Sequence, residues 1–220
     1  MPEIGVVAAL PAEAATWPAG DGFRVVASGP GKQRAADAAR RLLDDGVTGL
    51  VSWGVGGGLK ATLQPGDLVL ADRVASVDGS QAPDPDWCRQ MASRLRSIPR
   101  PVTVGSVWTD AHAVTAVADK RRLALDGHDL VDMEAAAVAC VAHEAGVPFL
   151  AVKAVCDPAG RALPACAPRL LRADGRVRVA ALLVALARGP RTWRDLRRMR
   201  RDFAAARASL RVAASLLSLS

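Results

Sequence analysis

Residues Leu130 to Ala159 read L-V-D-M-E-A-A-A-V-A-C-V-A-H-E-A-G-V-P-F-L-A-V-K-A-V-C-D-P-A. The pattern predicts a short apolar strand ending in acidic residues, a helix of small residues, and a second apolar strand from Pro148 to Val155. Glu134 and Asp157 would each lie where a strand ends. In an α/β sheet, ligands bind beyond the carboxyl ends of the strands, so these two carboxylates are candidates for chemistry.

The rest of the chain continues this alternation of strands and helices. Further strands are predicted at 3–10, 23–28, 49–53, 67–77 and 101–107, with helices at 35–43, 87–95, 177–186 and, in part, 110–125. Gly54 to Gly58 predict a loop where the backbone can approach a ligand closely. The alternation indicates an α/β fold with a largely parallel, buried sheet, and 220 residues suit a single core.

The net charge of +7 lies entirely in the C-terminal tail. From residue 188 onward there are nine arginines and two aspartates: Arg188, Arg191, Arg194, Arg197, Arg198, Arg200, Arg201, Arg207 and Arg211 against Asp195 and Asp202. Apolar residues recur there at helical spacing from Trp193 to Leu217. We therefore divide the chain into a catalytic domain, 1–187, and a basic amphipathic helix, 188–220, as its appendage. Such a helix suits a membrane surface, or it packs on its own domain or on a second subunit.

Several other classes of protein fit the sequence poorly. The four cysteines form no C-x-x-C pair and the three histidines do not join them at ligand spacing, so neither a zinc site nor a disulfide framework is predicted. The N-terminus shows no signal-peptide pattern, which leads us to expect a cytoplasmic protein. A non-catalytic nucleic-acid-binding protein is an alternative, but the tail has few interleaved aromatic residues and the preceding domain is neutral.

The paired carboxylates suit the cleavage of a purine from a ribose. The leaving base needs a proton, and the ribosyl centre and its hydroxyls need a stabilising anion. Asp157 suits the first task and Glu134 the second. From the residues alone, Asp157 could equally cap a turn before Pro158, and Glu134 could simply begin a helix.

Several sequence blocks, taken in order, resemble a known superfamily. They are Ile4 to Leu10 with Glu13, Ser28 to Lys32, Gly57-Gly58-Leu59, Pro65 to Val69, Val131-Asp132-Met133-Glu134-Ala135, Val147-Pro148-Phe149 and Ala154-Val155-Cys156-Asp157. Together they resemble the purine nucleoside phosphorylase and methylthioadenosine/adenosylhomocysteine nucleosidase superfamily.

The resemblance implies a three-layer nucleoside phosphorylase-like fold, with a central mixed, mostly parallel, twisted sheet flanked by helices. It implies that Glu13 activates the attacking water, that Met133 and Glu134 hold the ribose, and that Asp157 protonates an adenine-type base. It implies no metal or organic cofactor, and an assembly of dimers or larger oligomers.

The same resemblance indicates the remainder of the substrate pocket. Val55, Gly56 and Gly57 would line it. Asp110 is a further candidate for substrate binding. His112, two residues after it, falls where the nucleosidases place an aromatic residue against the base, although a surface histidine is an equal alternative.

Departures from the family pattern bear on the nucleophile. Val55 replaces a common serine, and Ser52 stands where phosphorylases carry a phosphate-binding arginine. A phosphate dianion needs charged or hydroxyl partners, so we predict water as nucleophile, with phosphate as an alternative co-substrate. Cys156 replaces the serine that often precedes the final aspartate, or it is simply a small buried thiol.

The last third of the chain narrows the resemblance. Asp157 to Pro164, Asp174-Gly175-Arg176 and the arginine-rich helix are similar to the hopanoid-associated phosphorylases. This similarity implies adenosylhopane as substrate, adenine and a ribosyl hopanoid as products, and a peripheral location at the inner membrane face, where anionic headgroups attract arginine. A soluble methylthioadenosine/adenosylhomocysteine nucleosidase and a phosphate-dependent purine nucleoside phosphorylase are the alternatives.

Overall fold

The computed structural model describes residues 3–18, 20, 22–164, 166, 167, 170, 172–187 and 189–217. The strands are β1 (Ile4–Ala8), β2 (Phe23–Ala27), β3 (Gly49–Gly58), β4 (Leu68–Ser76), β5 (Gly79–Gln81), β6 (Val102–Thr109), β7 (Leu130–Asp132) and β8 (Phe149–Asp157). The helices are α1 (Pro11–Ala14), α2 (Lys32–Asp44), α3 (Pro85–Leu95), α4 (Val117–Leu125), α5 (Ala135–Glu144), α6 (Val179–Leu186) and α7 (Pro190–Leu217).

The eight strands form one mixed sheet that closes partly on itself. Its order is β2-β1-β3-β7-β6-β4-β5, and β8 pairs with both β3 and β4. A ring of strands therefore runs through β3, β8, β4, β6 and β7. The pairings of β3 with β7, β4 with β8 and β4 with β5 are antiparallel, and the other pairings are parallel. The predicted mixed, mostly parallel sheet is confirmed.

Helices cover both faces of the sheet. One apolar cluster joins α2 and α5 to the sheet and includes Leu42, Leu50 and Val138. The other joins α3 and α7 to the opposite face and includes Trp53, Met91 and Leu210. This arrangement confirms the three-layer architecture that the resemblance implies.

The glycine-rich segment differs from the sequence prediction. Gly54 to Gly58 is the second half of strand β3 rather than a loop. Residues 54–57 pair with β8 on one side, and Gly57 and Gly58 pair with β7 on the other. Strand partners on both sides outweigh the low strand propensity of glycine. A second difference is β5, which pairs with the end of β4 in a stretch where the sequence predicts no strand.

The C-terminal helix packs on the sheet through its apolar face. Ala206, Leu210, Ala213, Ala214 and Leu217 are buried in the cluster that contains Trp53. The exposed arginines of the helix are Arg191, Arg194, Arg197, Arg198, Arg200, Arg201 and Arg211. Arg188 and residues 218–220 lie outside the described residues, and the boundary between 187 and 188 stays a prediction. No helix in the described ranges is long and apolar enough to cross a membrane.

Candidate active site

Glu13 is held in the site by backbone amides from two elements. It lies in the one-turn helix α1, whose N-terminal Pro11 suits a first helical position. Its carboxylate accepts hydrogen bonds from the amides of Leu10 at 2.8 Å and Val55 at 3.0 Å. Burial raises the pKa of Glu13, although these amides and the charge of Lys153 oppose the shift. A carboxylate that binds a proton more readily than usual is a better general base.

Glu134 is the residue at which helix α5 begins, immediately beyond β7. Its Oε1 accepts a hydrogen bond of 2.7 Å from the amide of Gly31, at the start of α2. Gly31 has a φ of 107°, a conformation that favours glycine. Burial and the charge of Asp132 raise the pKa of Glu134 to about 7. The predicted hydroxyl-binding carboxylate is therefore buried and preoriented.

A buried ion pair lies within electrostatic reach of both glutamates. Lys153 Nζ, in the middle of β8, lies 2.8 Å from Asp132 Oδ2. Burial lowers the pKa of Lys153, but the charges of Asp132 and Glu134 outweigh it and the net shift is upward. The Lys153 charge in turn opposes, but does not cancel, the upward pKa shifts of Glu13 and Glu134. One buried ammonium thus acts on three carboxylates.

Asp132 and Thr109 fix the geometry around that ammonium. The Thr109 hydroxyl donates to Asp132 Oδ1 at 2.7 Å, and Asp132 Oδ2 accepts from the amide of Ala135 at 2.9 Å. The amide of Ala136 donates to Thr109 Oγ1 at 2.9 Å. The first turn of α5 is therefore capped by the ends of β6 and β7, which satisfies amides that have no partner within the helix.

Asp157 ends β8 and is also buried. Its Oδ2 pairs with Lys120 of α4, and its Oδ1 accepts a hydrogen bond from Cys156 Sγ at 3.2 Å. Burial, followed by the charge of Asp157, raises the pKa of the Cys156 thiol well above its usual value, and the Glu13 charge contributes. Cys156 thus lies within the electrostatic reach of both carboxylates.

The second half of β3 runs between Glu13 and Asp157. A Cβ placed on Gly54 would lie 2.9 Å from the Glu13 carboxylate, and one on Gly57 would lie 3.2 Å from Asp157 Oδ2. Gly56 packs against Leu130, which an added Cβ would approach to 2.3 Å. These contacts explain the glycines by close packing around the carboxylates. A direct contact of Val55, Gly56 or Gly57 with substrate stays a prediction.

The other predicted pocket residues lie around the end of β6 and after β7. The amide of Asp110 donates to the carbonyl oxygen of Asp132 at 2.9 Å. Asp110 Oδ1 accepts from the amide of His112 at 3.1 Å, and the His112 side chain is exposed. Met133 is half-buried next to Glu134. Stacking of His112 on a base and a ribose contact of Met133 stay predictions.

Two buried lysines are missing from the sequence prediction. Lys153 could have been found, because it is the one charge inside the apolar strand Phe149–Val155. Lys120 gives no such signal, since it lies between Asp119 and Arg121, which are exposed. Within the described part of the chain, no group of three or more histidine, cysteine, aspartate or glutamate residues could hold a metal ion.

Comparison with known families matches residues 12–187 to the phosphorylase superfamily. The chain belongs to this superfamily. The match confirms the predicted superfamily and the predicted enzyme class, a purine N-ribosyl hydrolase or phosphorylase. It covers Glu13, Glu134 and Asp157 alike.

Individual proteins are also similar to this chain in sequence or in structure. A 5′-methylthioadenosine/S-adenosylhomocysteine nucleosidase from Bacillus cereus (strain G9842) is 28% identical over 168 residues, covering 65% of this chain and 71% of the relative. The structure of the Neisseria meningitidis enzyme of that name in complex with methylthio-immucillin-A has a TM-score of 0.69, at 19% identity and 99% coverage of both chains. A Helicobacter pylori counterpart has a TM-score of 0.71 at 15% identity, covering 98% and 96% of the two chains.

Proposed function

We propose that this protein hydrolyses the N-glycosidic bond of an adenosine-type nucleoside and releases adenine. The observation that carries the proposal is the set of three buried carboxylates from α1, the start of α5 and the end of β8. Glu13 and Asp157 lie against the glycine half of β3, and Glu134 interacts electrostatically with Glu13. Glu13 takes a proton from the attacking water as the oxygen of that water bonds to the ribosyl carbon. Glu134 binds the ribose hydroxyls. Asp157, which carries a proton on Oδ1 in the substrate complex, gives that proton to the base as the carbon–nitrogen bond breaks and is left as the carboxylate that Lys120 binds.

Strand β3 favours water over phosphate as the nucleophile. Its sequence contains no cation, and its single hydroxyl belongs to Ser52, which is 0% exposed. The amide of Val55 already donates to Glu13. A phosphate dianion would need charged or hydroxyl donors at this strand.

Adenine release by dialysed protein, with and without added phosphate, tests this nucleophile. We expect equal rates and a sugar product with a free 1-hydroxyl group. A rate that depends on phosphate, with a ribose 1-phosphate product, would contradict hydrolysis. Asp157→Asn should lower kcat by about 100-fold or more, because the amide cannot supply an acidic proton.

A cavity beside the site suits an apolar group on the ribose. It has a volume of about 630 Å³ and is lined by Arg172, Ala173, Val177, Arg178, Val179 and Ala180. Its wall lies against the segment before α2, because a Cβ on Gly29 would lie 2.2 Å from the Ala173 carbonyl oxygen. Gly29 is two residues from the amide that holds Glu134. We propose that the substrate is an adenosyl lipid, adenosylhopane, with its apolar part in this cavity.

The outer face of α7 supports a membrane-bound substrate. Seven of its arginines are exposed, and Trp193 is 46% exposed. Arginines of this kind each contribute roughly 1 kcal/mol to binding an anionic bilayer. Because the apolar face of α7 is buried in the domain, we propose a peripheral contact made by the arginine face. Replacing Arg194, Arg197 and Arg198 by glutamine should weaken vesicle binding, and unchanged binding would contradict the contact.

The soluble nucleosidase is the second candidate, because the relatives described above carry that name. Adenine release from adenosylhopane in mixed micelles, compared with release from 5′-methylthioadenosine, separates the two. We expect a higher kcat/KM for the lipid, and an equal or lower value would support the soluble substrate. A homodimer stays a prediction, which sedimentation equilibrium would test.

A further inference from the structure

Helix α4 contributes a fully buried ammonium to the end of β8. Lys120 is 0% exposed. Its Nζ donates to Asp157 Oδ2 and to the carbonyl oxygens of Pro158 and Arg161, both at 3.1 Å. A lysine ammonium has three donors, so all three are used. The side chain therefore binds the Asp157 carboxylate and the backbone that follows it in one arrangement.

This arrangement leaves the two oxygens of Asp157 unequal. Oδ2 is bound by the ammonium, whereas Oδ1 has a thiol hydrogen bond of 3.2 Å from Cys156. A thiol is a weak donor, and a charged donor binds a carboxylate oxygen far more strongly. A purine can therefore displace Cys156 at Oδ1 more readily than it can displace Lys120 at Oδ2.

The segment after Asp157 has a second anchor, in α7. Arg161 forms an ion pair with Asp202, whose side chain is only 4% exposed. Lys120 binds the carbonyl oxygen of the same Arg161. Residues 157–161 are thus connected to α4 by their backbone and to α7 by a side chain. A shift at Lys120 would change the position of this segment and of the carboxylate that begins it.

We propose that Lys120 is a positioning residue that acts through Asp157, holding Oδ2 so that Oδ1 addresses the base. The proposal rests on the role of Asp157 in the proposed function. A misplaced reacting group lowers the rate of the chemical step more than it weakens binding.

The test is a double-mutant cycle of Lys120→Met and Asp157→Asn, with adenine release from adenosylhopane in mixed micelles as the assay. Lys120→Met should lower kcat about 100-fold and change KM by less than about threefold. Adding Lys120→Met to Asp157→Asn should lower kcat by no more than about threefold further, because a residue that acts through Asp157 has no effect once the carboxylate is gone. Arg121→Met, an exposed change on the same helix, should leave kcat unchanged.

Two results would overturn the positioning role. One is a wild-type kcat in Lys120→Met. The other is a double variant whose fold-decrease in kcat equals the product of the two single-variant decreases, because effects of independent origin multiply. Lys120→Met could fail to fold, because Asp157 is left buried without its partner. The double variant removes both charges, so comparing its kcat with that of Asp157→Asn then tests the positioning role. Wild-type activity in Asp157→Asn, or no adenine release by the wild type from either adenosylhopane or 5′-methylthioadenosine, would refute the proposed function instead.

Discussion

Replacing Glu134 by glutamine should change how the stability of this protein depends on pH. Burial and the Asp132 charge raise the pKa of Glu134 from 4.5 to about 7 in the folded protein. Between those pH values the folded chain keeps a proton that the unfolded chain has released. The free energy of unfolding therefore falls as pH rises, by about 1.4 kcal/mol per pH unit and about 3 kcal/mol in total.

Glutamine removes this dependence and keeps an oxygen that can accept the Gly31 amide. Urea unfolding of the wild type and Glu134→Gln should be measured between about pH 5 and pH 8. The free energy of unfolding of the wild type should fall by about 2.5 kcal/mol relative to that of the variant as pH rises. Glu144→Gln, at the exposed end of the same helix, measures the effect of removing a surface carboxylate. Parallel curves for the wild type and Glu134→Gln would refute the reasoning, because Glu134 would then titrate alike in both states.

The same carboxylate should limit activity at low pH. An ionised carboxylate binds two ribose hydroxyls, whereas its protonated form offers a poorer acceptor. The wild-type kcat/KM should therefore decrease as pH falls through about 7, the pH at which Glu134 of the free enzyme takes up its proton. The ionised form of Glu134 therefore binds the ribose but makes the protein less stable at neutral pH.

Three further variants test neighbouring parts of the site. Glu13→Gln should lower kcat by about 100-fold or more with little change in the melting temperature, because the amide cannot take the proton of water; a wild-type kcat would exclude Glu13 as the base. Lys153→Met should lower the free energy of unfolding by about 3–5 kcal/mol in urea titrations, because Asp132 is left buried without its partner; a loss below about 1 kcal/mol would contradict a tightly coupled pair. Gly54→Ala should lower kcat and destabilise the fold, because its φ is 148° and its Cβ would lie 2.9 Å from the Glu13 carboxylate; an unchanged kcat would show that Glu13 can move freely.

The parts of the fold that the sequence predicts are those determined by local pattern. The apolar runs of β1, β6 and β8 end within a few residues of their predicted positions, and Glu134 and Asp157 lie at strand ends as expected. These features depend on residues close together in the chain. The continuation of β3 through Gly58 depends instead on β7 and β8, whose pairing residues come more than 70 positions later.

The same distinction explains which site residues the sequence leaves out. Lys120 meets Asp157 only because α4 packs at the end of β8, 37 positions along the chain. Lys153 meets Asp132 because β7 and β8, which carry them, both pair with β3. Which charges become partners inside a core is decided by packing, and local periodicity carries no information about it.

Helix α7 packs on the core through one face and exposes arginines on another. Ala206, Leu210 and Ala213 are fully buried and complete the core, whereas seven arginines of the helix are exposed. Truncation before Pro190 would therefore expose the sheet and destabilise the domain, so it would not test the exposed arginines alone. Charge on the outer face can change one residue at a time without altering the core. Affinity for an anionic surface is thus a property that can be adjusted gradually, by substitution or by ionic strength, while the catalytic framework stays the same.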